Sequence, residues 1–281
     1  MDSKRIRELS EISAKIKLGA LEGVYCAASG HPGGSLSISD LLAYLYFEEM
    51  NVDPHDPKKE DRDRLVLSKG HSAPGLYAAL ALRGFFPTED LKTLRQADSY
   101  LQGHPDMKGT PGVDMTTGSL GLGISAACGI ALAGKIRKQD YRVYAIVGDG
   151  ESEEGQVWEA AMFAAAKKLD NLTLFLDFNG LQIDGPVTSV NDPTPFDKKF
   201  EAFNWNVITI NAHDFNEIEA AVKAAKECKG RPTAIICRSV KGKGVSFMEN
   251  NVKWHGSAPK KEEYEQAVSE INAYIKSLGE A

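Results

Sequence analysis

Apolar positions recur along the chain with two periods, and the two alternate in order. Residues 4–28 set Leu9, Ile12, Ile16, Ala20 and Val24 close to one face of a helix. Short, largely apolar segments at 64–67, 143–147, 172–176, 207–210 and 233–238 read instead as buried strands. Helical stretches at 75–83, 122–137, 155–169 and 216–228 separate those runs, and a polar helix covers 260–278. Another helix, 41–50, follows Ser37 and Asp40, which stand at the spacing of a capping box. Segments 51–63 and 99–121 are polar and bear Gly or Pro, so they read as loops. A loop as long as 99–121 is usually functional or mobile. There is no internal repeat, low-complexity tract or linker. The alternation predicts an α/β fold: a single doubly wound, mostly parallel sheet with helices on both faces, one domain over 1–281.

The apolar share of 42% in 281 residues is enough to fill such a core. A net charge of −6 gives no reason to expect nucleic acid or an anionic membrane as partner, so any basic cluster needs a local purpose. The apolar runs fall far short of the roughly 18 residues of a membrane helix. Met1-Asp2-Ser3-Lys4-Arg5 lacks a signal peptide's apolar core. Cys26, Cys128, Cys228 and Cys237 have no CxxC or CxH spacing. They are expected to be reduced, mostly buried thiols in a cytoplasmic protein.

Two loop motifs carry the first chemistry. Gly148-Asp149-Gly150-Glu151 ends one strand-like run, and Asp177-Phe178-Asn179-Gly180 ends the next, with a helix between them. A carboxylate and an amide oxygen thus stand at the carboxyl ends of two strands of one β-α-β unit, where open parallel sheets bind ligands. Two hard oxygen ligands on glycine-bearing loops suit Mg²⁺ or Ca²⁺ holding a phosphorylated molecule. Glu151, Glu153 and Glu154 favour the start of the following helix, but would repel a bare diphosphate without a metal. Gly118-Ser119-Leu120-Gly121-Leu122-Gly123 fails as a dinucleotide fingerprint, because no strand precedes it and no acidic residue follows at the right distance. Lys241 and Lys243 flank glycines after a strand end; such lysines are more often simply solvated, with a place near phosphate as the alternative.

Histidines supply the second signal. His31, His71, His104 and His255 each stand beside glycine or proline in a loop, which points to one site where imidazoles handle protons or bind oxyanions. No pair has the spacing of a zinc site. His55, in a polar loop, and His213, beside a helix N-cap, read as structural or surface residues.

These residues together resemble the N-terminal, diphosphate-binding region of the transketolase family. Ser29-Gly30-His31-Pro32-Gly33, Leu67-Ser68-Lys69-Gly70-His71, Gly103-His104-Pro105, Thr116-Thr117-Gly118-Ser119-Leu120-Gly121, Gly148-Asp149-Gly150 with Asn179-Gly180, and His255-Gly256 fall in the family's order. The resemblance implies thiamine diphosphate and a divalent metal, Mg²⁺ or alternatively Ca²⁺ or Mn²⁺. It implies that Asp149, Asn179 and the backbone oxygen of Leu181 ligate the metal. Gly150, His71 and His255 would bind the diphosphate, and Gly118 and Leu120 would hold the cofactor through backbone contacts. His31 and His104 would face the sugar, and they are candidate catalytic groups together with His255. Glu154 matches a family acid at the subunit interface.

Full-length members of that family continue into a pyrimidine-binding domain, which carries the cofactor-activating glutamate and most of the sugar-phosphate groups, and then into a C-terminal domain. With neither domain in this sequence, the resemblance implies the N-terminal subunit of a split transketolase. The expected activity is transfer of a two-carbon ketol unit from a ketose phosphate to an aldose in the pentose phosphate manner. A separate C-terminal subunit would be needed, in an α2β2 heterotetramer. Alternatives are another thiamine diphosphate-dependent synthase acting on a specialised sugar phosphate, or a non-catalytic cofactor-holding paralogue.

Overall fold

Every apolar run read as a strand enters one parallel sheet. The computed structural model describes residues 1–280. Helix α1 (Ser3–Ala27) is followed by short α2 (Pro32–Ser37) and α3 (Ser39–Tyr44), then by β1 (Arg64–Leu67), α4 (Ala73–Arg83) and α5 (Leu122–Arg137). Next come β2 (Val143–Gly148), α6 (Gly155–Ala166), β3 (Leu172–Phe178) and a small hairpin of β4 (Leu181–Gln182) and β5 (Gly185–Pro186). The chain continues through α7 (Val187–Val190), α8 (Phe196–Ala202), β6 (Asn206–Asn211), α9 (Phe215–Glu227), β7 (Thr233–Arg238) and α10 (Lys261–Glu280). The main sheet runs β1-β2-β3-β7-β6, with all four pairings parallel. Among the described residues, no helix is long and apolar enough to cross a membrane.

Alternation along each strand divides the core into two layers. Tyr144, Ile146, Phe175, Ile235 and Cys237 bury on one face beneath α1, α3, α4 and α9. Val143, Ala145, Val147, Leu172, Leu174, Leu176, Ala234 and Ile236 bury on the other beneath α5, α6 and α8. Both sheet faces are therefore covered, which is why the strands read as continuous apolar runs rather than as alternating ones. A third cluster packs α10 outside α1 through Ala14, Leu21, Ala267 and Ile271, with Trp254 of the preceding loop. Register fixes the site. Gly148 pairs beside Asp177, so the turns at Asp149 and Asn179 leave the sheet together.

The predicted helix over 41–50 is corrected in two respects. It begins at Ser39, and its last turn, Leu45–Glu49, widens into a π-helix. The capping box is absent: Ser37 donates to Gly34 O and Asp177, while Asp40 is buried and binds Ser13, Lys17 and His213. Tertiary partners deep in the protein outcompete local capping. The expectation of mostly buried thiols is half right. Cys128 and Cys237 are buried, Cys228 is partly so and Cys26 is exposed on α1; all four are free.

Helix α5 reaches the end of β1 only because Gly123 has no side chain. A Cβ there would lie 2.6 Å from the Ser68 Cα, and backbone cannot swing aside. Gly129, on the same helix, has nothing within 4 Å. Gly123→Ala should therefore lower stability by about 1–3 kcal/mol through overpacking. Gly129→Ala should raise it by about 0.4–1 kcal/mol through helix propensity. Urea-unfolding midpoints of the two variants should move in opposite directions; movement in the same direction contradicts the packing argument.

Candidate functional site

The carboxyl ends of β1, β2, β3 and β7 open into a cleft of about 570 Å³. Its lining includes each residue singled out from the sequence as catalytic, cofactor-binding or metal-ligating: His31, His71, His104, Gly118, Leu120, Asp149, Gly150, Asn179, Leu181 and His255. Residues far apart in the chain converge because four parallel strands release their loops at one edge.

On the cleft floor, Asp149 is 2% exposed. Its two oxygens accept the Gly150 N–H at 2.8 Å and the Gly180 N–H at 2.6 Å, which joins the two strand-end turns. No lysine, arginine or histidine forms an ion pair with it among the described residues. Burial, reinforced by neighbouring Asp177, pushes its carboxyl above the usual range. Asn179 keeps an acceptor oxygen beside it, bonded only to the Leu181 N–H at 3.1 Å, and the Leu181 carbonyl accepts Lys241 Nζ at 3.1 Å. A buried carboxylate without a counter-charge, next to an amide oxygen and a backbone carbonyl, is an oxygen donor set suited to a hard divalent cation. It differs in kind from a cage of His, Cys, Asp and Glu side chains, of which there is none among the described residues.

Below that floor, Asp177 is the fixed point. It accepts Lys69 Nζ at 2.5 Å, Ser37 Oγ at 2.8 Å, Asn179 Nδ2 at 3.1 Å and the Ser239 hydroxyl. Burial pushes the Asp177 carboxyl up, but Lys69 and these donors outweigh it and hold it ionised.

Three imidazoles form one wall. The ring centroids of His31, His71 and His255 lie 5.1–5.6 Å apart, with His71 and His255 stacked. His104 stands on the 99–121 loop, where Gly118, at φ +152°, lies so close beneath its ring that a Cβ would come within 3.1 Å. Burial is the main reason that all four imidazoles ionise less readily than usual. It lowers His31 to about 4 and His255 to about 3, and takes His71 well below its ordinary value. Nearby cations add to the effect: Arg95 beside His31 and His104, Lys69 beside His71, and Lys241 beside His255. The rings are therefore neutral near pH 7, each with one donor and one acceptor nitrogen. His255 Nδ1 accepts Lys241 Nζ at 3.0 Å, so its proton sits on Nε2. His31 Nδ1 is buried without a partner.

Several sequence expectations change here. Lys241 is not solvated. It is 2% exposed, and burial followed by repulsion from Lys69 depresses its pKa. Lys243 does lie at the surface, paired with Glu249 at 3.2 Å. Glu151 does not serve the helix start. It turns inward and accepts Ser68 Oγ at 2.5 Å and the N–H groups of Gly121 and Gly148 at 2.9 Å, bracing three loops. Glu153 accepts Gln182 Nε2 at 2.8 Å, and Glu154 is exposed at the cleft rim. His55 lies in a turn, and His213 is tied into a buried network rather than into the cleft. Sequence reasoning missed Tyr77, whose hydroxyl donates to the carbonyls of Gln102 and His104 and so holds the His104 loop. It sits in an alanine-rich helix, and nothing in the chain's pattern sets it apart.

Fold and cleft together define a cofactor-binding α/β domain of the thiamine diphosphate type. Residues 9–273 match the family described as "Transketolase, thiamine diphosphate binding domain". The chain belongs to the transketolase family. It is 49% identical over 251 residues to the 6-deoxy-6-sulfo-D-fructose transketolase subunit SqwG of Clostridium sp. (strain MSTE9), covering 89% of this chain and 91% of that one. It is 40% identical to one of the subunits of the apulose-4-phosphate transketolase of Phocaeicola vulgatus, covering 98% and 97% of the two chains. Human transketolase is 40% identical, but there the match spans 98% of this chain and only 44% of the human protein. The crystal structure of transketolase from Campylobacter jejuni superposes with a TM-score of 0.86 at 31% identity, over 100% of this chain and 48% of that one.

The neutral imidazoles make stability pH-dependent. His255 ionises near 3 when folded against 6.5 ordinarily, so the unfolded chain takes up a proton that the folded chain refuses. Stability is full above about pH 6.5 and is lost as pH falls toward the folded values. His255→Gln should flatten part of that decline between pH 6.5 and 4, measured as the urea midpoint against pH. An unchanged slope removes His255 from the linkage.

Proposed function

We propose that this chain is the thiamine diphosphate-binding subunit of a two-component transketolase. The observation that carries the reading is the buried, unpaired Asp149 carboxylate beside the Asn179 oxygen and the Leu181 carbonyl. In this reading those three oxygens hold Mg²⁺, or Ca²⁺ or Mn²⁺ in its place. The divalent ion supplies the counter-charge that Asp149 lacks. Gly150 N–H, His71, His255 and Lys241 bind diphosphate oxygens, for which neutral donors and a nearby ammonium are suited. Gly118 and Leu120 carry the rest of the cofactor on their backbone. When bound, thiamine diphosphate supplies the carbon nucleophile that carries a two-carbon unit between sugars.

The chain's own residues then do three things. His31 and His104 hydrogen-bond the sugar's hydroxyl and carbonyl oxygens. With His255, their neutral rings can both give and take a proton at a fixed nitrogen near pH 7. The loops around them, tied by Tyr77 and Glu151, keep those nitrogens in place.

A separate partner subunit, carrying the pyrimidine-binding and C-terminal domains with the activating glutamate, completes the site in our reading. Two relatives of nearly this chain's length are themselves named as subunits. The cleft rim also presents apolar side chains to solvent: Leu120 is 38% exposed and Ile183 63%. We assign the assembly as α2β2 and its location as the cytoplasm. The donor is best sought among anionic ketoses, because the names of both relatives specify sugars bearing a sulfo or phosphate group. Both names also specify particular sugars, which favours a specialised donor over the general pentose phosphate ones.

Two measurements decide. Asp149→Asn keeps the side chain's shape but removes its charge, and should weaken Mg²⁺-dependent thiamine diphosphate binding by at least the roughly 10- to 100-fold that loss of a metal site's supporting group costs, as read by calorimetry. Unchanged affinity rejects the metal assignment. The purified chain alone should transfer no ketol unit. With its partner, cofactor and an anionic ketose it should do so, as read by mass spectrometry of the products. Full activity without a partner rejects the split site.

A further inference from the structure

Buried Asp40 and half-buried His213, 173 positions apart, meet outside the cleft. Asp40 Oδ2 stands 2.6 Å from His213 Nδ1, while Asp40 Oδ1 accepts Ser13 Oγ at 2.5 Å and Lys17 Nζ at 3.3 Å. On the far side of the imidazole, Nε2 accepts the Val240 N–H at 3.0 Å. A backbone N–H can only donate, so Nε2 is unprotonated and the proton sits on Nδ1, against Asp40. Burial works against the Asp40 carboxylate, but Lys17 and the His213 bond outweigh it, so the group that fixes this tautomer stays charged.

Val240 directly precedes Lys241, whose ammonium stands between the Leu181 carbonyl and His255. On its other side, the Gly242 N–H donates to Gly33 O at 3.0 Å. The Lys241 backbone is thus pinned at both ends, once by α2 and once by His213. A separate cavity of about 410 Å³ borders Lys17, Asp40 and His213.

We infer that His213, oriented by Asp40, is a positioning residue for cofactor binding: it fixes the Val240 amide and so places Lys241 in the cleft. The inference rests on the proposed role of Lys241 toward the diphosphate.

Two variants separate positioning from bulk stability. An Asn amide can replace Nδ1 and keep the Asp40 bond while losing the acceptor for Val240. A Gln amide can place its oxygen where Nε2 stands and keep Val240 while losing Asp40. In the subunit pair with Mg²⁺, His213→Asn should raise the half-saturating thiamine diphosphate concentration about five- to tenfold, the effect of one lost hydrogen bond. At saturating cofactor its kcat should stay within about twofold of wild type. His213→Gln should bind cofactor nearly as the wild type does. Hydrogen exchange of segment 240–254 without cofactor should quicken in the Asn variant and not in the Gln variant. Equal shifts in both variants, or faster exchange with unchanged affinity, overturn the inference. If the Asn variant does not fold, the wild-type Val240 amide decides: protection supports the bond, and free exchange overturns it. A wild-type pair that binds no thiamine diphosphate rejects the functional reading instead, while the exchange measurement still tests the positioning.

Discussion

The site depends on one ionised carboxylate that solvent does not reach. Asp177 is 2% exposed, and its four donors come from four different segments: Ser37 at the end of α2, Lys69 after β1, Asn179 after β3 and Ser239 after β7. A buried charge is costly by several kcal/mol unless it is paired and its remaining lone pairs are used. Asp177 meets both conditions by drawing on all four segments: Oδ2 takes Lys69, Ser37 and Asn179, and Oδ1 takes Ser239. Losing Lys69 would leave the buried charge without its cation, and losing Ser239 would leave Oδ1 without a donor, so these segments cannot shift independently. Three of the loops that bound the cleft are thereby held at a common point beneath its floor.

The contrast with Asp149 gives the cleft its chemistry. Two aspartates at adjacent strand ends share one environment, but only Asp177 receives a cation. The Lys69 ammonium is committed to it and to the Gly34 carbonyl at 3.1 Å. Lys241 reaches Leu181 O and His255 instead of Asp149. The floor thus carries an uncompensated negative charge, and the wall above it carries neutral imidazoles and a buried ammonium. In the proposed reading, a metal–diphosphate pair would suit both features, Asp149 serving the cation and the donors of the wall serving the anion.

Much of this was legible in the chain, for identifiable reasons. Strands buried on both faces produce unbroken apolar runs, so β2, β3 and β7 and the turns after them could be read directly. Glycine- and proline-bearing loops flag histidines that must sit close to backbone, and all four of those lie in the cleft. What escaped depends on contacts between distant residues. Ser37 and Asp40 have the spacing of a local cap, yet each is claimed by a partner over 20 positions away in sequence. Glu151 looks like one more acid at a helix start, yet it points backward to Ser68. Lys241 looks like a loop lysine, because nothing in Lys241-Gly242-Lys243-Gly244 tells which of two equivalent lysines the fold will bury. Tyr77 acts through carbonyls that are near only after folding.

The long 99–121 segment shows what this wiring does for binding. Its length and composition are compatible with a mobile lid. Instead, Tyr77 holds the Gln102 and His104 carbonyls, Thr110 Oγ1 donates to Tyr100 O at 2.7 Å, and Thr117 Oγ1 donates to Leu67 O at 2.7 Å. The Arg95 guanidinium reaches Ser29 Oγ at 3.0 Å and lies against Gly103, linking the His31 and His104 loops. Ordering a loop upon binding would subtract from affinity in proportion to the rotamers and backbone it freezes. Here the loop is tied by the chain's own side chains, so that part of the ordering belongs to folding. In the proposed reading, the free energy of binding would then go to the charges on the cofactor and to the hydroxyls of the sugar. In that reading the cleft would bind by complementarity of charge, and its weak points are the few side chains that pin its loops, Tyr77 and Arg95 among them.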